Sequence, residues 1–168
     1  MSREILFKAK RKNWRELPKD EWWVEGLPFI QDLDGMEQVC IAHHSISAND
    51  YSEICGENKN WFQIDPETLC QYTGMNDKNG KRVWENDIVS CEHEKYPEDN
   101  PLEVDLFFPE LIKYRRNYAV EFINNGNKYG YRLRNKSIHF MLTGNVIYNH
   151  EIKVLGNVFD NSELLQEV

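Results

Sequence analysis

No stretch of this 168-residue chain stays apolar for the ~18–20 residues that a membrane-spanning helix needs. The opening MSREILFKAKRKNWRE is positively charged but has no continuous apolar segment behind it, so it does not read as a secretory signal. The expected location is therefore the cytoplasm of the cell that makes the protein, with no membrane partner. Cysteine is sparse and scattered. Cys40, Cys55, Cys70 and Cys91 include no pair at the short spacing of a zinc knuckle or a redox motif. Cys40 and His43 would point to opposite faces of a strand, whereas Cys91 and His93 would share a face with no second pair near them in sequence. Free, largely buried thiols are expected, with no metal and no cofactor.

Catalytic signatures are also missing. Gly74, Gly80, Gly126 and Gly130 fit neither a phosphate-binding loop nor a dinucleotide fingerprint. There is no nucleophile elbow, HExxH helix or EF-hand loop. His43 and His44 are adjacent, but neighbouring side chains on a strand diverge. Asp32 with Asp34, and Asp99 with Glu98 and Glu103, could meet in space to hold Mg²⁺ or act as acid and base. Such neighbours arise often in an acidic chain, and solvated loops are the plainer reading. No enzyme is expected.

A hydrophobic fraction of 40% and a charged fraction of 29% describe an ordinary globular chain, long enough for one domain or two small ones. The net charge of −8 hides a strong segregation. Residues 1–16 carry six basic side chains against two acids, and residues 84–112 carry one against nine. Residues 113–136 reverse the sign, with Lys113, Arg115, Arg116, Lys128, Arg132, Arg134 and Lys136 opposed only by Glu121.

The punctuation is that of a β protein. In EILFKAK, Ile5, Phe7 and Ala9 alternate with Lys8 and Lys10, as in a half-buried strand. Further strands are expected from Trp22 and Trp23 onward, over 37–43, over 61–64 up to the Asp65-Pro66 turn, and over 152–158. Asn76-Asp77-Lys78-Asn79-Gly80 has the composition of a tight turn, and Glu85-Asn86-Asp87 marks a second bend. The clearest hairpin spans 118–134 around Asn124-Asn125-Gly126-Asn127. Tyr118, Val120 and Phe122 share one face with Tyr129, Tyr131 and Leu133, leaving Glu121, Lys128, Arg132, Arg134 and Lys136 on the other. Residues 109–114 read as one or two helical turns, and Asn161 or Ser162 as the cap of a short C-terminal helix.

Three signals in this order, Gln71-Tyr72-Thr73-Gly74, Asp77-Lys78-Asn79-Gly80 and Asp87-Ile88-Val89, resemble the YopX family of proteins carried by bacteriophages and prophages. Matching positions extend from Arg3-Glu4-Ile5-Leu6-Phe7 through Asp65-Pro66-Glu67-Thr68 to Gly156-Asn157 and Asp160-Asn161. The family pattern has glycine where this chain has Asn86, a residue that tolerates the left-handed region. The resemblance implies a mainly β protein: an irregular N-terminal β module over 1–82, packed on a C-terminal SH3-like small barrel over 83–168. A loop insertion at about 90–117 and a short C-terminal helix complete that expectation. No catalytic residue carries over.

Two functions follow as expectations. The first is a non-catalytic accessory protein that binds a host or phage protein or self-associates as a homo-oligomer, with Trp14, Trp22, Trp23, Trp61 and Trp84 as candidate anchors wherever exposed. The second is nucleic-acid binding through the cations of 113–136. The same cations also fit a solvated face, or one neutralised by the chain's own acidic segment at 92–110.

Overall fold

The computed structural model describes residues 4–33, 35–43, 61–95, 111–136 and 138–166. Cys55, Asp34, Glu98, Asp99 and Glu103, and with them the two acid pairs, lie outside the described residues. The chain forms two compact units, Met1–Gly74 and Met75–Val168.

In the first unit β1 (Phe7–Lys10), β2 (Trp23–Leu33), β3 (Met36–His43), β4 (Trp61–Gln63) and β5 (Cys70–Asn76) form a sheet in the order β4-β3-β2-β1-β5, and β6 (Arg82–Trp84) belongs to the second unit. Ala9, Val24, Ile41 and Ile64 make its core, with Val39, Phe62 and Leu69 packed against them. Gly26 is required where it stands, because a Cβ there would lie 1.8 Å from the Ala42 carbonyl oxygen. The alternation expected for β1 fails at its ends. Ile5 is 61% exposed, whereas Leu6 and Lys10 are 2% and 1% exposed. Two 3-10 turns, Trp14–Glu16 and Lys19–Glu21, follow β1 and bring indoles over Lys10. Its Nζ lies 3.8 Å from the ring centroid of Trp14, 4.8 Å from Trp22 and 5.6 Å from Trp23. The ring quadrupoles replace part of the ammonium's hydration, which alternation by itself could not foresee.

In the second unit β7 (Asp87–Lys95), β8 (Ile112–Asn124), β9 (Tyr129–Asn135), β10 (Ile138–Met141) and β11 (Lys153–Asn157) form an antiparallel sheet in the order β10-β9-β8-β7-β11. Among the described residues the sheet does not close, with β10 and β11 as its edges, and the expected SH3-like small barrel is not confirmed. The segment joining those edges holds α1 (Gly144–Asn149), started by the Thr143 side chain accepting from the Val146 N–H. Leu142, Ile147 and Ile152 from this segment complete a core with Val89, Cys91, Tyr118, Val120, Tyr131 and Leu133.

The segment read as an insertion at about 90–117 carries strand at both ends, since β7 runs to Lys95 and β8 begins at Ile112. Helical turns at 112–114 are corrected by the same pairing: His93 faces Tyr114 and Lys95 faces Ile112. The C-terminal helix is a single 3-10 turn, Ser162–Leu165, and Asn161 makes no side-chain cap. Its Oδ1 instead accepts from the Asn157 N–H. A Cβ at Gly156 would lie 2.2 Å from that Oδ1, which accounts for the Gly156-Asn157 and Asn161 signal. The β8–β9 register follows the expected parity, pairing Val120 with Leu133 and Glu121 with Arg132.

Candidate functional site

Pairing in the second sheet sorts the basic side chains of 113–136 onto two faces. Lys113, Arg115 and Glu121 of β8 point away from the core together with Glu92 and Glu94 of β7 and Arg132 and Arg134 of β9. Across this outer face opposite charges meet. Lys113 Nζ lies 2.7 Å from Glu92 Oε1 and 3.9 Å from Glu94 Oε1. An Arg115 nitrogen lies 3.4 Å from Glu92 Oε2, and another donates to Ser90 Oγ at 3.2 Å. Glu121 accepts from Arg132 Nε at 2.7 Å and from Arg134 at 2.9 Å. The Lys113 hydrogen bond holds the Glu92 carboxyl below the usual range. Burial works against Glu121, but hydrogen bonds from Arg132 and Arg134 outweigh it and lower its pKa too.

The remaining candidates lie elsewhere. Arg116 is on the core face of β8, 5.9 Å from the Tyr114 ring centroid. Lys128 sits at the hairpin turn, where its backbone N–H donates to Asn125 Oδ1 at 2.9 Å and its side chain is exposed. Lys136 is exposed at the end of β9 with φ +49°. Two hollows flank the Arg132–Glu121–Arg134 group. One, of about 250 Å³, reaches Ala119, Lys136 and Leu165. The other, of about 260 Å³, lies at the hairpin turn beside Lys128 and His139.

On the core face a histidine pair appears that no local motif announces. Cys91 and His93 do share a face of β7, but His93 meets aromatic partners there. Its Nε2 is 3.0 Å from the Tyr118 hydroxyl, and its ring stacks on Tyr114 at 5.4 Å. The His150 ring, at the end of α1, lies 5.1 Å from that of His93, and His150 Nδ1 lies 2.9 Å from the Glu92 carbonyl oxygen. Burial, then the charges of His150 and Arg116, lower the His93 pKa. Strand parity could have grouped His93 with Tyr114, Arg116 and Tyr118, but His150 is 57 residues further on. Cys40, Cys70 and Cys91 are free and buried. Burial pushes the Cys91 thiol up to about 12, so it is inert near neutral pH. Among the described residues no helix is long and apolar enough to cross a membrane.

Comparison with known proteins places these features. The family model described as "YopX protein" matches residues 21–166. The crystal structure of protein EF1440 from Enterococcus faecalis is similar over 98% of this chain and 99% of that one, at 16% identity and a TM-score of 0.47. No curated protein sequence matches the chain.

Proposed function

The chain belongs to the YopX family, and on that premise we propose that it is a phage- or prophage-type accessory protein acting without catalysis, by binding another protein or copies of itself. The observation that carries this reading is the neutralisation of the outer face. Lys113, Arg115, Arg132 and Arg134 are already engaged by Glu92, Glu94 and Glu121. Binding to a nucleic-acid backbone draws its free energy from replacing condensed counterions with protein cations, and paired cations supply little of it. Nucleic-acid binding by the hairpin is therefore the weaker reading.

Apolar exposure supports a protein partner. β1 pairs with β2 only as far as Gly26, while the β2–β3 ladder continues to Leu33 and Met36. On that extension Ile30 is 67% exposed on one face of the ribbon, and Met36, 62% exposed, lies on the other face with Leu27. Exposed apolar side chains on a two-stranded ribbon suit packing against a second surface.

Sedimentation equilibrium, with crosslinking in lysate of the producing cell, tests this reading. Expected is a self-associated species, or a discrete crosslinked partner, lost in Ile30→Lys/Met36→Lys. A strict monomer with no crosslinked product would overturn it, and a gel shift with duplex or single-stranded DNA at low salt would favour the nucleic-acid reading.

A further inference from the structure

The two edges of the second sheet are finished differently. The outer side of β11 is taken up by the turn after β5, through Val154 N–H to Asp77 Oδ2 and Lys78 N–H to the Ile152 carbonyl. A bulge between Val154 and Gly156 interrupts that strand as well. β10 has neither device. Its register against β9 runs without a break from Ile138 to Met141, and it holds no lysine, proline or carboxylate of the kind that blocks an edge. The Leu142 N–H donates to the Tyr131 carbonyl, and alternation along an antiparallel ladder therefore turns Phe140 and Ile138 toward β9. The N–H and C=O groups of His139 and Met141 are left on the outer side, where no strand pairs with them among the described residues.

The charge beside this edge is of one sign. From Phe122 to His150 the chain has no acidic residue, although 28 of its 168 residues are Asp or Glu. On the outer face His139 and Met141 stand next to Arg134 and Arg132, two guanidiniums against the single carboxylate of Glu121. Lys128 and Lys136 are exposed just before and just after β9. On the other face Ile138 is 44% exposed and Phe140 half-buried. We propose that the β10 edge takes up an extended segment of another protein, with apolar and acidic residues in alternation, as one more strand of the sheet. The backbone of such a segment satisfies the donors and the acceptors of His139 and Met141 together, whereas a phosphate chain offers acceptors only. Period-two alternation lays its apolar side chains beside Ile138 and Phe140, and its carboxylates beside His139 and the arginines behind it. A second copy of β10 fits less well, since it would bring the same excess of cations to both sides. This edge belongs to the second unit and the β2–β3 ribbon to the first, so the two surfaces stand or fall independently.

The test is a ¹H–¹⁵N correlation titration of the full chain with acetyl-Val-Glu-Val-Glu-Val-Glu-Val-amide, run beside the same peptide with lysine for glutamate and a thymidine decanucleotide. Expected with the glutamate peptide are saturable shifts at His139, Phe140 and Met141 and slowed exchange of the His139 and Met141 amides. The lysine peptide should bind at least tenfold more weakly. His139→Pro removes an outward N–H and spares the β9–β10 ladder, so it should keep the fold and weaken the glutamate peptide at least tenfold. Lys128→Glu/Lys136→Glu leaves the backbone of β10 unaltered, should weaken the peptide several-fold, and settles the question if the proline variant does not fold. Ile30→Lys/Met36→Lys should bind as the parent does. The proposal is overturned if the glutamate peptide at millimolar concentration shifts nothing at β10, or if the lysine peptide binds as well. Unchanged binding by a folded His139→Pro or Lys128→Glu/Lys136→Glu variant, or loss in the ribbon variant, overturns it too. Shifts at β10 that grow with protein concentration before any peptide is added would overturn it in favour of a second copy, and preferential binding of the decanucleotide in favour of nucleic acid.

Discussion

The carboxylate of Asp77 accepts the backbone N–H of Val154 at 3.0 Å, tying the turn after β5 to strand β11 across 77 residues of sequence. Its other oxygen accepts from the Asn79 and Lys81 N–H groups at 2.8 and 2.9 Å. Lys78 adds a backbone bond to the Ile152 carbonyl and an ion pair with Glu151. One buried acid therefore serves three backbone donors, which gives the Asp-Lys-Asn-Gly signal a structural cause.

Asp77→Asn should destabilise the protein by roughly 1–3 kcal/mol, because an amide nitrogen would then face a backbone donor in a buried site. Urea unfolding checks this; a midpoint equal to the parent's would contradict it.

The hairpin should respond unequally to truncation. Leu133 is fully buried, while Phe122 is half-buried and packs its ring edge-on with Tyr129 and Tyr131. Leu133→Ala should cost ~2–5 kcal/mol, and Phe122→Ala less than the ~3–5 kcal/mol of a fully packed phenylalanine. The order of the two midpoints decides the matter.

Arg132→Ser/Arg134→Ser should change stability by no more than about 1 kcal/mol, since both arginines and Glu121 are partly solvated and the pairs are screened. A loss of several kcal/mol would mean that this ion-pair group supports the fold.

Stability should fall with pH below the ordinary histidine range. The folded-state pKa of His93 is depressed, so the unfolded chain binds that proton more tightly. The contribution of His93 is complete above about 6.5 and shrinks as the pH drops from there toward the lower folded value. His93→Gln should flatten the dependence of the urea midpoint between about pH 7 and 5. An unchanged slope would show that His93 does not titrate as its surroundings require.

Asn86 has φ +63°, the conformation that glycine adopts without penalty. Asn86→Gly should be neutral or gain a few tenths of a kcal/mol, while Asn86→Val should lose about 1–2 kcal/mol. Thermal unfolding of the two variants separates a backbone requirement from a side-chain one.

The facing of the β8–β9 hairpin was legible in the chain because its determinants are local, although Tyr129, expected on the core face, is 72% exposed near the turn and Phe122 is only half-buried. A turn with glycine at positive φ sets the register, and period-two alternation then sends Val120, Tyr131 and Leu133 inward and Arg132 and Arg134 outward. The mainly β class and the Asp77 and Asn86 turns follow from equally short-range rules. α1 was missed because Gly144-Asn145-Val146-Ile147-Tyr148-Asn149 has little helix propensity, and the helix rests on the Thr143 cap and the burial of Ile147.

What local pattern could not decide depends on groups distant in sequence. Lys10 is buried where the alternation of β1 expects an exposed side chain, because Trp14, Trp22 and Trp23 fold back over it. The basic run at 113–136 reads as one patch, but pairing sends Arg116 to the core face and sets Lys113 and Arg115 against Glu92. His93 and His150 meet only because the end of α1 packs against β7. Composition and periodicity specify which way a side chain points from its own strand. What stands opposite it, and so whether a charge is solvated, paired or enclosed, is set by the tertiary contacts alone.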